Sequence, residues 1–236
     1  MRFLSRIAIT LALVGVACSG LASATELTPH RAQYKVKISV VSGELNTELK
    51  RNGHGYVATH VVKPKGMSRM FTRGKMEVTS AFTTDADGVR PVTYHALDTI
   101  SKKPEAHVRF DWTTNQASGT VGEEDVLLQL DGISHDSVSI QYQLMYDLLN
   151  DRTNTQYVLF DVDKMRVANV RKVGTKTVKT QAGTFDVVGI AHQREGSSRI
   201  TTLWCAQELD YLPVIIEQHR KEKLKFRATL TSYTPT

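Results

Sequence analysis

Apolar and polar residues alternate with a period of two along most of this chain. A strand whose side chains alternate in this way has one face against a core and one face in water. Three such runs lie near residues 34–38, 106–112 and 224–230. In each run, charged residues occupy positions between the apolar ones. The pattern places five large apolar residues on the buried faces of strands: Tyr34, Ile38, Phe110, Trp112 and Phe226.

Turn residues separate the strand-like runs at fairly regular intervals. Asn52-Gly53 is a strong hairpin signal, and Asp87-Gly88, Gly174 and Ala182-Gly183 mark further turns. Many short strands with regular turns indicate one antiparallel sheet that curls, because curling or closure protects the sheet edges. We therefore predict an all-β fold over residues 25–236, a single domain built as an open β-barrel or β-spiral.

One segment, residues 134–150, has helical spacing instead. Its apolar stripe consists of four residues at that spacing: Val138, Tyr142, Met145 and Leu149. Ser134 is a suitable N-cap, and Asp136 falls in the first turn, where negative charge suits the helix dipole. We predict one amphipathic helix that plugs or covers the concave side of the sheet.

The first 24 residues have the features of a secretory leader. Arg2 and Arg6 precede an apolar run at 7–17 that is too short for a bilayer span, and a small-x-small motif ends at Ala24. We expect cleavage after Ala24, export to the periplasm, and no transmembrane segment in the mature chain. The alternative is lipoprotein processing with acylation of Cys18.

Either processing route leaves Cys205 as a single cysteine, which excludes an intrachain disulfide. A catalytic pairing with His192 or His219 stays open, but Cys205 lies in a strand-like run and reads better as a small buried hydrophobe. The formal net charge is +6. For an exported basic protein we expect anionic lipid headgroups or cell-wall polymers as partners, and no nucleic acid.

No catalytic, cofactor or metal motif stands out. The serine-hydrolase motif GxSxG, a glycine-rich phosphate loop, HExxH and CxxC are all absent. His54 and His60 could share a strand face, but two ligands without a third make a weak metal site. We therefore predict no catalytic residue, no metal and no cofactor.

Two surfaces could bind a ligand. A basic strip is formed by four residues at every second position, which would share one strand face: Lys221, Lys223, Lys225 and Arg227. It is either a solvated sheet face or a docking strip for anionic envelope material. The inward residues Tyr34, Ile38, Phe110, Trp112 and Phe226 could line an apolar cavity. A core filled by side chains or by the helix is favoured slightly over an open pocket.

Short motifs in the C-terminal half resemble a known family. The segment 180–185 reads TQAGTF, Leu203-Trp204 follows on a later strand, Leu212-Pro213-Val214 begins another, and 230–233 reads LTSY. Together they resemble the DUF3108 family of exported bacterial proteins. The resemblance implies an all-β periplasmic protein of unknown function and supplies no catalytic residues.

These observations favour a non-enzymatic periplasmic protein that binds a lipid, a cell-wall glycan or a partner protein and supports envelope integrity. One alternative is a periplasmic hydrolase or transferase whose residues come from separate strands. A second alternative is a structural scaffold without a ligand.

Overall fold

A computed structural model of the chain describes residues 26–38, 41–71, 73–152, 154–161 and 164–236. The expected leader, its cleavage after Ala24 and the alternative acylation at Cys18 lie outside these residues. Neither of the two α-helices in the described residues has the length and hydropathy needed to cross a membrane.

The described residues form one sheet of fifteen strands. The first eight are β1 His30–Ile38, β2 Val41–Asn52, β3 Gly55–Pro64, β4 Met76–Asp85, β5 Gly88–Asp98, β6 Lys103–Asp111, β7 Gln116–Val121 and β8 Glu124–Gln129. The other seven are β9 Ser134–His135, β10 Gln156–Asp161, β11 Lys164–Lys179, β12 Thr184–Arg194, β13 Arg199–Ala206, β14 Leu212–Arg220 and β15 Lys223–Pro235. The helices are α1 Ser68–Phe71 and α2 Ser139–Leu149, and Gln207–Leu209 forms a 3₁₀ turn.

The strand order shows how the sheet is assembled. It runs from β8 back to β1, then from β15 back to β9, so β1 and β15 join two meanders. All neighbouring strands are antiparallel except β9 and β10, which are parallel. The edge strands β8 and β9 follow one another in the chain but are not hydrogen-bonded to each other. The prediction of an all-β fold with a single curled antiparallel sheet is confirmed, and the sheet is not closed into a barrel.

Helix α2 fills the space that the curled sheet leaves. Eight of its eleven residues are buried, so it is enclosed on nearly all sides. Tyr142 and Met145 belong to the main core, whereas Leu144 and Leu148 pack with residues of β12 and β13 in a second cluster. A helix buried in this way has little amphipathic contrast, and its polar side chains must find partners inside the protein.

The start of α2 differs from the prediction. Ser134 is not the N-cap, because it lies in β9 and pairs with Val158. The turn before the helix is closed by Asp136, whose Oδ1 accepts the N–H groups of Val138 and Ser139 at 2.8 and 2.9 Å. Ser139 Oγ in turn accepts the N–H of Asp136 at 2.9 Å. This reciprocal pair has the geometry of a capping box and begins two residues after the predicted N-cap, and the helix itself begins at Ser139, five residues after it.

Alternation overestimates the burial of residues at strand ends. Tyr34 and Phe110 are buried as predicted, but Ile38 is 47% exposed and Leu224 is 48% exposed. Ile38 is the last residue of β1 and is paired with Val41, the first residue of β2, and Leu224 is the second residue of β15. Both lie where a hairpin ends, and the core does not extend to them.

Candidate ligand groove between helix α2 and strands β11 to β13

A buried polar network fixes the position of α2. Gln143 Oε1 accepts the N–H of Val89 at 2.6 Å, and Gln143 Nε2 donates to Asp147 Oδ1 at 2.9 Å. Asp147 Oδ2 accepts hydrogen bonds from Tyr157 Oη at 2.5 Å and from Asn154 Nδ2 at 3.0 Å. The helix is thereby tied to β5 on one side and to β10 on the other. Such a fully satisfied network holds one orientation of the helix.

A groove opens where the C-terminal half of α2 faces β11, β12 and β13. Its main cavity has a volume of about 400 Å³, and a smaller cavity of about 100 Å³ continues beside it. Leu148, Arg152 and Lys172 line both cavities, so the two cavities adjoin each other. We call the two adjacent cavities together the α2 groove. Its volume lies within the usual range of small-ligand sites.

The floor of the α2 groove is apolar. Leu148 and Cys205 are buried and Val188 is half-buried, and all three line the cavity. The chain folds in this way because Val188 and Cys205 are paired directly across β12 and β13, so their side chains share one face. That face is turned toward Leu148 of the helix.

Cys205 is a poor nucleophile in this position. Burial raises the pKa of its thiol to about 12, so almost none of it is thiolate at neutral pH. Neither candidate histidine lies beside it. His192 pairs with Thr201 and His219 pairs with Ile200, several residues away from Cys205 along β13. The catalytic pairing that the sequence left open therefore does not form in the part of the chain described here.

The rim of the α2 groove is polar and mainly cationic. Arg152, Lys172 and Lys176 line it, together with the carboxylates of Asp151 and Asp186.

Three of these rim groups have contacts that orient them. The Lys176 ammonium lies 3.5 Å from the centre of the Trp204 ring, and Thr177 donates to Asp186 at 2.6 Å. Arg152 donates to the carbonyl of Ala86, and its guanidinium lies 5.3 Å from the centre of the Tyr146 ring. The groove can thus hold an apolar group at its floor and a negatively charged group at its rim.

The predicted cavity residues do not come together in one site. Tyr34 and Phe110 lie in the packed core. Trp112 is half-buried and donates its indole N–H to the carbonyl of Pro91 at 2.6 Å. Ile38 and half-buried Phe226 line an open surface cavity of about 540 Å³ instead.

The predicted basic strip is exposed but does not lie along one straight strand face. Lys221 lies in the β14–β15 turn with a positive φ. Lys225 is the extra residue of a bulge opposite Gln218 and His219. Arg227 forms an ion pair with Glu217 at 3.3 Å.

Other cations lie directly opposite members of this strip. Lys37 is opposite Arg227, and Arg220 is opposite both Lys223 and Arg199. Like charges in directly opposed positions are destabilising, so this end of the sheet carries a repulsive positive patch.

Sequence reasoning missed the α2 groove. Its walls come from the helix and from three strands that lie between about 20 and 60 residues further along the chain. The alternation of β12 and β13 indicates which residues share a face, but no local signal shows that the C-terminal half of α2 covers that face.

Structural comparison identifies similar folds. A crystal structure of a β-barrel-like protein from Brucella abortus, described as a domain of unknown function (DUF1849), matches with a TM-score of 0.60 and 13% identity. The match covers 90% of this chain and 99% of that chain. At this identity the likeness shows the fold alone.

Two other structures match more weakly. One is a Parabacteroides distasonis protein, proposed to be a lipoprotein, with a TM-score of 0.37, 10% identity and coverage of 89% of this chain and 100% of that one. The other is a Bacteroides fragilis protein with a YmcC-like fold, proposed to be exported, with a TM-score of 0.30, 13% identity and coverage of 88% and 94%.

None of the curated proteins matches the sequence. The model of a family described as "Protein of unknown function (DUF3108)" matches residues 30–227. These residues include most of the sheet, the helix α2 and the α2 groove. The predicted resemblance to this family is thereby confirmed, and the chain belongs to the DUF3108 family.

Proposed function

We propose that this chain is a non-enzymatic binding protein of the cell envelope that holds an anionic amphiphile in the α2 groove. The observation that carries the proposal is the combination of an apolar floor, made by Leu148, Val188 and Cys205, with a rim that carries Arg152 and Lys172. An amphiphile with one negative head group matches both parts. The expected secretory leader supports a location in the envelope.

Helix α2 fills the interior of the sheet where it faces β4 and β5. Tyr142, Met145 and Tyr146 of α2 occupy the space against β4 and β5, and all three are almost fully buried. A ligand that entered the centre of the sheet would have to displace the helix. The α2 groove is reached from the surface, and its rim residues Lys172 and Thr175 are exposed.

The volume limits the ligand. A cavity of about 400 Å³ with a side extension of about 100 Å³ accepts a small amphiphile or one end of a larger one. We therefore expect the ligand to leave part of its structure in solvent.

The α2 groove also supports a second candidate function. Asp151 and Asp186 both line it, and a pair of carboxylates in one cleft is the arrangement that acid–base hydrolysis of a cell-wall or lipid substrate would use. Thr177 already donates to Asp186, which fits a structural role for that carboxylate. A double Asp151→Asn, Asp186→Asn variant separates the two functions, because a binding protein keeps its ligand unchanged whereas a hydrolase accumulates uncleaved substrate.

The direct test is native mass spectrometry of the protein purified from its own periplasm, followed by organic extraction of any bound molecule. Thr175→Trp places a large side chain at the mouth of the groove, on an exposed strand position that tolerates aromatic residues. The matched control is Thr184→Trp, an exposed threonine of β12 that lines neither cavity.

We expect a stoichiometric adduct in the wild type and in Thr184→Trp, and its loss in Thr175→Trp. A wild-type protein without an adduct, or an adduct that persists in Thr175→Trp, would contradict the proposed site. The same spectra test the leader, since cleavage after Ala24 and acylation of Cys18 give different masses.

A further inference from the structure

Two histidines face each other across neighbouring strands, far from the α2 groove in sequence. His95 of β5 and His107 of β6 are direct partners in the antiparallel register. Side chains of such partners leave the sheet on the same face with their Cβ atoms about 5 Å apart. Glu105 lies two residues before His107, so it shares that face. The register of β5 and β6 therefore brings three ligand-type side chains to one point.

The side chains of these three residues converge. The two imidazole rings are stacked, with ring centres 4.3 Å apart and an angle of 18° between the planes. Glu105 Oε1 lies 2.7 Å from His95 Nε2 and 3.4 Å from His107 Nε2. One ligand atom from each residue lies within 4.8 Å of the others.

These distances are close to those of a metal-ligand set. Zinc binds histidine nitrogen and carboxylate oxygen at about 2.0–2.2 Å in a tetrahedral arrangement, which places two ligand atoms of one ion roughly 3.3 Å apart. The Glu105–His107 distance already has this value. The Glu105–His95 distance must widen by roughly half an ångström, and the two imidazole rings must rotate out of their stack so that both Nε2 lone pairs point at one ion. Rotation about the side-chain torsions of these three residues provides both changes without movement of either strand.

From this geometry we infer that His95, Glu105 and His107 form a binding site for a divalent transition-metal ion, with Zn²⁺ as the best match. Two imidazoles and one carboxylate suit Zn²⁺, Cu²⁺ or Ni²⁺, whereas Mg²⁺ and Ca²⁺ prefer sites built from oxygen ligands. This site is independent of the proposed binding function of the α2 groove.

The setting of the site leaves room for a further ligand. The side chains of His95, Glu105 and His107 are 37%, 46% and 59% exposed, so solvent reaches the metal position. Three protein ligands with an open fourth position are typical of sites that bind water or an outside group. An ion at this position could also take its fourth ligand from another protein, which would make the site a junction between molecules.

The site was invisible in the sequence for a physical reason. The histidines are separated by a hairpin whose register shifts between Ala96 and Asp98. Spacing along the chain does not reveal which residue of β6 lies opposite His95, because the bulge moves the partner by one residue. The sequence prediction of no metal site rested on motifs within single segments, and this site joins two strands.

Isothermal titration calorimetry of the untagged full-length protein with ZnCl₂ tests the inference directly. We expect one Zn²⁺ per chain with a dissociation constant on the order of 10 μM. His107→Ala and His95→Ala should each weaken binding by at least about tenfold, and Glu105→Gln should weaken it while preserving the shape of the side chain. MgCl₂ should give no binding.

A matched control and a structural readout make the result decisive. His54→Ala removes an exposed histidine from the β2–β3 turn and should leave Zn²⁺ binding unchanged. The visible spectrum of the Co²⁺ complex should show tetrahedral bands that disappear in His107→Ala. All three ligands are surface residues, and circular dichroism of each variant verifies the fold.

Two results would overturn the inference. One is Zn²⁺ binding of equal strength in the wild type and in His107→Ala, and the other is no binding by the wild type below millimolar Zn²⁺. Either result would make the three residues a hydrogen-bonded surface cluster, in which Glu105 only accepts hydrogen bonds from its neighbouring histidines.

Discussion

The carboxylate of Asp136 should be one of the most important single groups for the position of α2. It is fully buried, its Oδ1 accepts the N–H groups of Val138 and Ser139, and its Oδ2 accepts the hydroxyl of Ser80 at 2.6 Å. Ser80 is in the middle of β4, so the same carboxylate that starts the helix also joins it to the sheet.

Asp136→Ala should therefore destabilise the protein strongly. It leaves two buried backbone N–H groups without an acceptor, at about 1–3 kcal/mol each, while Ser80 can rotate its hydroxyl and loses less. Removal of a buried charge offsets part of this loss. We expect a decrease of about 4 kcal/mol in the free energy of unfolding, a large part of the stability of a typical domain.

Asp136→Asn is the matched variant. Its Oδ1 can still accept both backbone N–H groups, and its amide can donate to Ser80 Oγ, so at neutral pH we expect a cost below about 1 kcal/mol. Urea denaturation followed by tryptophan fluorescence measures both variants. If Asp136→Ala unfolds within about 1 kcal/mol of Asp136→Asn, the hydrogen bonds of this carboxylate do not hold the helix, and the reasoning fails.

The wild type and Asp136→Asn should also differ in how their stability depends on pH. Burial raises the pKa of Asp136 above its ordinary value of 3.8, against the opposing effect of its hydrogen bonds from Ser80, Ser139 and Val138. The folded state therefore binds this proton more tightly than the unfolded state. Its contribution to stability is complete below pH 3.8 and is lost as the pH rises through the raised pKa. Relative to Asp136→Asn, the wild type should become less stable over that interval, and an opposite trend would contradict the assignment.

Three further predictions concern other parts of the structure. Gly88→Ala should lower the free energy of unfolding by about 2 kcal/mol, measured by thermal unfolding, because φ of Gly88 is +131° and the added Cβ would lie 2.4 Å from Oε1 of Gln143 in α2. Gly132→Ala is the control and should cost less, since φ of Gly132 is +71° and no atom lies within 4 Å of the added Cβ. At pH 8 the native Cys205 thiol should react with a disulfide reagent about a thousandfold more slowly than in urea, because its pKa is raised to about 12, and rapid native labelling would refute its burial. Lys223→Gln with Lys225→Gln should reduce binding to anionic vesicles about tenfold at low salt and have no effect on neutral vesicles, and an unchanged affinity would exclude the basic strip as a docking surface.

The sequence predicted the strands well because alternation reports directly on local geometry. Tyr34, Val36, Val108 and Phe110 are buried as their parity indicates. Alternation cannot show how far the core reaches, and for this reason Ile38 was assigned to the interior although it lies at an exposed hairpin end.

Features that depend on contact between distant segments could not be predicted in the same way. Ser134 carries a good helix-cap signal, but pairing with Val158 draws it into a strand. The α2 groove depends on the helix lying over Cys205, and the histidine pair depends on the register of β5 against β6. In each case the deciding interaction is tertiary, and residue patterns within one segment carry no information about it.

The order of strands in the sheet has a consequence for how the chain reaches this fold. Every antiparallel neighbour pair follows directly in the chain except β1 and β15, whose residues lie nearly 200 positions apart, as the hydrogen bond from Thr231 to Gln33 shows. Each meander can therefore form by pairing strands that are close in sequence. Only the pairing of β1 with β15 has to close a long loop. Thr236 donates its N–H to the carbonyl of Pro29, so the two sides of that closure meet. If these sides were joined and the chain were opened between β8 and β9, its linear order would become the order of the strands in the sheet. Apart from the parallel pair β9 and β10, the strand order is thus that of a circularly permuted up-and-down meander.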